Sequence, residues 1–262
     1  MIEQIIEIAV MAGEEALKFY KKENLKVSVK DDKSPVTEAD KAAHEVITKK
    51  LSSLFPYPVI SEEGDLGAVN SISREEFWLV DPLDGTKEFI AKTDEFSINI
   101  ALIRNELPVL GVIYSPVEQL IFYAEKGKGA FRRKISGTPE PIRSHRPFQI
   151  DAFTIVMSRR HESRLFKKLK EKWPGCLIEK LGSSLKLCRI AEGKADLYIR
   201  TGPTSLWDIA AGQIILEESG GKVVCSGGKT MRYKPTQIIN AHFWAIGDKD
   251  NQSDFLKQIE NF

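Results

Sequence analysis

Glu62, Asp81, Asp84 and Asp208 stand at or beside the ends of expected strands and the starts of expected helices. Such places converge at one end of a sheet. Side chains that offer only oxygen suit a hard divalent cation, and Mg²⁺ takes a few carboxylates together with water and substrate phosphate. Two cations about 4 Å apart can clamp both oxygens of an in-line phosphoryl displacement. The chemistry these four residues suggest is metal-dependent hydrolysis of a phosphate ester.

The densest signal is Asp81-Pro82-Leu83-Asp84-Gly85-Thr86, which follows the apolar run Phe77-Trp78-Leu79-Val80. Proline disfavours helix at the residue before it, so the chain is expected to turn at Asp81. Gly85 permits an unusual backbone angle. A turn there would aim both carboxylates and the Leu83 carbonyl inward, and Thr86 with the amides after it would open a helix whose N-terminus attracts phosphate. A bare Asp-x-x-Asp-Gly is most often a surface turn, but the full hexapeptide behind four apolar residues is far more specific. Glu62-Glu63 alone would be an ordinary solvated turn. Beside the other motifs, Glu62 becomes a metal ligand that also helps deprotonate a water.

Two acidic residues have a second, local explanation. Asp208 lies three residues after Ser205, and Asp40 three after Thr37. Both spacings fit capping boxes. Capping and chemistry are compatible: Asp208 can also bind metal, and Asp40 with Thr37 can also sit behind the nucleophilic water through Thr86. Ser183, Lys186 and Arg200 are candidate anion-binding groups, with solvated surface positions as the alternative. His161 reads first as a surface residue. Trp207 is expected to pack beneath the site.

The elements that must hold these residues follow from periodicity. Apolar positions 2, 5, 6, 9, 10, 16 and 17 mark a first helix. Thr37 starts a second, with Ala43, Val46, Ile47, Leu51 and Leu54 on one face and Pro56 and Pro58 ending it. Strands are expected at 59–60, 77–80, 98–103, 109–114, 120–124 and 130–132, the third and fourth joined as a hairpin. The basic, proline-bearing stretch 133–150 is the candidate boundary. It would divide an α+β half, 1–150, from an α/β half, 151–262. Beyond it, strands at 154–157, 176–179, 197–199 and 223–224 alternate with helices at 162–172, 184–191 and 209–218, which argues α/β layering.

Bulk properties exclude several classes. The 262 residues carry a net charge of +1, which gives no global bias toward nucleic acid or anionic membrane. Cys176, Cys188 and Cys225 form no CxxC pair, which reads as a reduced, cytoplasmic protein. No apolar run approaches the ~18 residues of a spanning helix, although peripheral membrane contact is compatible with the composition. GxSxG and GxxxxGK[ST] motifs are absent, against serine hydrolases and P-loop enzymes.

Glu62-Glu63, the hexapeptide at 81–86 and Trp207-Asp208-Ile209-Ala210-Ala211-Gly212 together resemble the inositol monophosphatase-like, lithium-sensitive phosphatases. Lys87-Glu88-Phe89, Ser34-Pro35-Val36-Thr37-Glu38-Ala39-Asp40, Gly182-Ser183-Ser184-Leu185-Lys186 and Gly202-Pro203-Thr204 look like the bisphosphate nucleotidase branch. Lys87-Glu88 departs from the usual monophosphatase pattern. The resemblance runs from about residue 29 to 240. It implies a layered αβαβα sandwich and two or three Mg²⁺ ions held by Glu62, Asp81, Asp84, Asp208 and the Leu83 carbonyl. It further implies a scissile phosphate at Gly85 and Thr86, and a nucleotide facing His161, Ser183, Lys186 and Arg200. The implied substrate is a small phosphate ester, adenosine 3′,5′-bisphosphate, rather than a nucleic acid polymer. An inositol monophosphatase or sugar bisphosphatase using the same metal site is the alternative reading. A non-catalytic phosphate sensor on the same scaffold is a third.

Overall fold

The structure, a computed structural model, describes residues 1–22, 27–29, 35–65, 75–144, 153–159 and 163–248. His161, the polar stretch 30–34 and the end of the basic stretch, 145–150, lie outside the described residues.

Helices α1 (Ile2–Tyr20) and α2 (Glu38–Leu54) bury Ile5, Ile8, Ala9 and Ala12, and Ala43, Ile47 and Leu51, at the three- and four-residue spacing of a helical face. Of the expected α2 face, Leu54 is exposed instead, because it is the last residue before the chain leaves the helix. Phe55, the residue before Pro56, is already extended. Strands β1 (Val27–Val29) and β2 (Pro35–Thr37) pair antiparallel beside the start of α2.

Seven strands form the first sheet in sequence order: β3 (Val59–Ser61), β4 (Glu76–Asp84), β5 (Ser97–Arg104), β6 (Leu107–Ser115), β7 (Leu120–Glu125), β8 (Ala130–Lys134) and β9 (Glu140–Pro141). Only β3 and β4 run parallel. The β5–β6 hairpin turns on Asn105 and Glu106, both at positive φ (50° and 65°), as a two-residue turn matched to strand twist requires. Alternation decides which face each residue meets. Phe77 and Leu79 enter one core, whereas Trp78 and Val80 join α1 and α2 in the other.

The chain does not leave the sheet at Asp81, where a turn was expected. Asp81 pairs with Asn99 and Asp84 with Ser97, with a register shift between them. Pro82 has no N–H to give a regular ladder, so the irregularity falls there and re-aims the carboxylates without ending the strand. The short helix α3 (Thr86–Ile90) follows.

The second sheet is built from β10 (Thr154–Ser158), β11 (Leu177–Leu181), β12 (Leu197–Arg200), β13 (Lys222–Cys225) and β14 (Phe243–Ile246), in the order β11-β10-β12-β14-β13. Its first two junctions are parallel and its last two antiparallel. Helices α4 (Ser163–Lys172), α5 (Leu185–Ala191) and α6 (Leu206–Ser219) complete the chain order. Strand β14 was not expected from sequence, yet it occupies a central position between β12 and β13.

The layers are α1/α2, seven-stranded sheet, α5/α6, five-stranded sheet, α4. Trp173 and Leu169 cover the outer face of the second sheet beside Ile155, Met157 and Trp244. One core joins Phe77, Leu79 and Ile113 to Ile214 and Leu216 of α6 and to Tyr198 and Phe243 beyond it. Helix α6 buries residues all round, among them Ile209, Ala210, Ile214 and Ile215, because both its faces are covered. A Cβ placed on Gly111 of β6 would stand 2.7 Å from the Ala211 carbonyl oxygen, so a side chain there would force the helix off the sheet. Stretch 133–150 is stitched into the body where it is described: Ile142 is buried, and Ser144 Oγ donates to the Gly247 carbonyl at 2.8 Å.

Candidate active site

At one end of both sheets a cavity of about 540 Å³ opens. Glu62, Asp81, Leu83, Asp84, Gly85 and Thr86 line one wall, and Ser183, Lys186, Arg200 and Asp208 the other. Every candidate within the described residues therefore faces this cavity except Asp40, which reaches it through Thr86. Trp207 packs beneath, as expected, and is buried.

Each element delivers its residue for a local reason. Glu62 follows β3, its N–H bound to the Val80 carbonyl at 3.1 Å. Gly85 adopts φ 94°, which lets the strand fold at once into α3, and a Cβ there would stand 3.0 Å from the Glu95 carbonyl. The capping box of α2 is present: Thr37 Oγ1 accepts the Ala39 N–H at 3.1 Å and Asp40 Oδ2 accepts the Thr37 N–H at 2.8 Å. The other oxygen of Asp40 accepts the Thr86 hydroxyl at 3.1 Å. One carboxylate thus serves helix and cavity together.

Three aspartates share one pattern. Asp81 Oδ1 accepts the Leu83 N–H at 3.0 Å, and Asp208 Oδ2 accepts the Ser205 N–H at 2.8 Å. Asp84 Oδ2 accepts the Ser184 N–H and, at 2.6 Å, the Ser184 hydroxyl. In each, one oxygen is fixed by a neighbour, and among the described residues the other accepts no hydrogen bond. Burial, reinforced by Glu62 and Asp84, pushes the Asp81 and Asp208 carboxyls well above the ordinary carboxylate range. No three of these side chains form a closed chelate among the described residues. They surround a shared space and repel one another across it.

The cationic wall differs from expectation. The Ser184 amide at the start of α5 is occupied by Asp84, so this helix start holds an internal carboxylate rather than an outside anion. Lys186 is buried, and its ammonium donates to the Ser183 carbonyl and, at 3.5 Å, to that of Leu181. Burial holds its pKa down. One terminal N–H of Arg200 donates to the Pro203 carbonyl at 2.9 Å, while its Nε is buried and has no hydrogen-bond partner among the described residues. Ser183 holds a left-handed φ of 47° at the cavity wall.

The sequence placed Ser184 only in the helix-start motif 182–186 and pointed to no role for Asn99. Asn99 is buried on β5 beside Ser184 and Asp84. Its signal was a polar residue amid the apolar run Ile98 to Ile103.

An oxygen-lined cavity between two sheets of this layered sandwich is the architecture of a phosphatase superfamily, and the chain belongs to the inositol monophosphatase family, whose model matches residues 1–261. Within it, the chain is 41% identical over 251 residues to the CysQ 3′(2′),5′-bisphosphate nucleotidase of Salmonella typhimurium, covering 93% of this chain and 98% of that one. It is 40% identical over 250 residues to its counterpart from Buchnera aphidicola subsp. Acyrthosiphon pisum, covering 94% and 93%. The crystal structure of CysQ from Bacteroides thetaiotaomicron superposes with a TM-score of 0.81 at 36% identity over 95% of this chain and 97% of that one.

Proposed function

We propose that the chain is an Mg²⁺-dependent 3′(2′),5′-bisphosphate nucleotidase that removes the 3′-phosphate of adenosine 3′,5′-bisphosphate, giving AMP and phosphate. The observation that carries this reading is the convergence of Glu62, Asp81, Leu83, Asp84 and Asp208 on one cavity that Lys186 and Arg200 also line. The activity named for the CysQ relatives supports the choice of substrate.

The donor set fits the metal. It is all oxygen, as Mg²⁺ prefers, and the crowding that raises Asp81 and Asp208 is relieved by divalent positive charge. Glu62, Asp81, Asp84, Asp208 and the Leu83 oxygen would hold two or three Mg²⁺ ions. When bound, Mg²⁺ supplies charge stabilisation for in-line displacement at phosphorus.

The chain's own residues do the rest. Thr86 Oγ1 commits its proton to Asp40, which leaves the hydroxyl oxygen as an acceptor that aligns a water. Glu62 takes that water's proton as the oxygen attacks phosphorus. The N–H groups of Gly85 and Thr86 hold the scissile phosphate, and the 3′ oxygen leaves with the bonding electron pair and takes a proton from solvent to become the 3′-hydroxyl of AMP. Arg200, half-buried on the cavity lining, offers its guanidinium to the second phosphate. Lys186, two of its three ammonium protons engaged by the Ser183 and Leu181 carbonyls, contributes through its field. Ser183 and His161 complete the substrate contacts. The halves 1–150 and 151–262 would each provide one wall. A cytoplasmic setting belongs to the same proposal, in keeping with three free thiols.

The test is phosphate release from adenosine 3′,5′-bisphosphate, AMP, inositol 1-phosphate and fructose 1,6-bisphosphate, with and without Mg²⁺. Strong Mg²⁺-dependent preference for the first, with AMP as product, is expected. Preference for inositol 1-phosphate would keep the metal site and overturn the roles of Lys186 and Arg200.

A further inference from the structure

A buried hydrogen-bond chain runs from the first sheet into the second half through the cavity floor. Ser97 Oγ donates to Asn99 Oδ1 at 3.0 Å. That bond decides which end of the Asn99 amide is which, so Nδ2 points the other way. Nδ2 donates to Ser184 Oγ at 2.9 Å and lies 3.3 Å from Asp84 Oδ2. Ser184 Oγ stands 2.6 Å from Asp84 Oδ2 and 2.6 Å from the Asp208 carbonyl oxygen. Ser97, Asn99 and Ser184 are at most 4% exposed. A hydroxyl has one proton, and here it faces two acceptors on two different elements, while its own oxygen is held by the Asn99 amide.

We propose that Ser184 and Asn99 are positioning residues that join Asp84 of β4 to Asp208 of α6 and so set the affinity of the cavity for divalent cations. The Ser184 amide and hydroxyl and the Asn99 amide all converge on Asp84 Oδ2. That oxygen is saturated, and Oδ1 is the one available as a ligand. Without the Ser184 hydroxyl, the Asp84 carboxylate would keep the Ser184 N–H and only the longer Asn99 contact at 3.3 Å, and could rotate about its last torsion. The link between β4 and the first turn of α6 would also open, and the free oxygens of Asp84 and Asp208 would no longer be held in register. Groups behind metal ligands typically change affinity by about 10–100-fold when removed. The inference rests on the proposed metal site.

The test is Mg²⁺ titration by calorimetry without substrate, on the wild-type chain, Ser184→Ala, Asn99→Asp and Asp84→Asn. Asn99→Asp keeps the shape of the side chain and replaces the donor by an acceptor. Ser184→Ala removes one buried oxygen, and circular dichroism melts check that each variant is folded. The expected result is a Kd for Mg²⁺ raised about tenfold or more in Ser184→Ala and Asn99→Asp, with activity recovering toward wild type at high Mg²⁺ and an unchanged KM. If both variants bind Mg²⁺ as the wild type does while Asp84→Asn binds weakly, the positioning role is overturned and the metal site stands. If Asp84→Asn also binds as the wild type does, the metal site itself is wrong, and this inference falls with it.

Discussion

Asp84 and Thr86 are two residues apart and do different work in the proposed reaction, so their variants should fail differently. Asp84→Asn keeps size and shape but lowers the charge available to a cation. Turnover should fall by at least two to three orders of magnitude, with the circular dichroism melt little changed. A variant that retained a large fraction of wild-type turnover would sink the assignment of Asp84 as a ligand. Thr86→Val keeps volume and removes the hydroxyl that bonds Asp40. Its kcat should drop about 10²-fold while KM stays near wild type, because the phosphate contacts are backbone groups. A raised KM with unchanged kcat would show instead that the hydroxyl binds substrate.

Helix α6 is where element-scale forces are most visible. Its approach to β6 relies on Gly111, so Gly111→Ala should cost about 1–3 kcal/mol by overpacking, measured by urea unfolding. A change below a few tenths would mean the helix moves freely. The helix also carries a buried polar lane: Tyr233 OH donates to Gln213 Oε1 at 2.6 Å, and Gln213 Nε2 to Glu217 Oε1 at 2.9 Å. Burial pushes the Glu217 carboxyl up to about 6. The folded chain holds that proton more tightly than the unfolded chain does. Its stabilisation is complete in acid below the ordinary carboxylate range and is lost as pH rises through about 6. Glu217→Gln should therefore stabilise the chain at pH 8 by about 1–2 kcal/mol, read as a higher melting temperature, and do little at pH 4.5. Equal shifts at both pH values would refute this. Much of this scale was legible in the sequence, because both capping boxes and the β5–β6 hairpin are local signals. Strand β14 was not, since Phe243 to Ile246 is too short to distinguish from a loop and becomes a strand only between β12 and β13. The roles of Asn99 and Ser184 were hidden for a related reason: their partners lie 85 residues apart, and no local period reports such a meeting.

At the scale of the whole molecule, the cavity joins two sheets that share one core, and its carboxylates oppose that junction. A divalent cation that binds only the folded state adds about 2.7 kcal/mol at a hundredfold excess over Kd. Mg²⁺ should raise the melting temperature of the wild-type chain, and the rise should shrink in Asp84→Asn. No change in the wild type over millimolar Mg²⁺ would argue against a cation at this place.

The covering of α6 on both faces also has a consequence for synthesis. The first sheet is complete once β9 has been made, but the helix that closes its inner face follows only after Pro141 and everything up to Leu206 have emerged. At about 5–20 residues per second, Phe77, Leu79, Ile103 and Ile113 wait several seconds beside the ribosome with that face bare. Chaperone occupancy should therefore peak on nascent chains in this interval and fall once α6 is out.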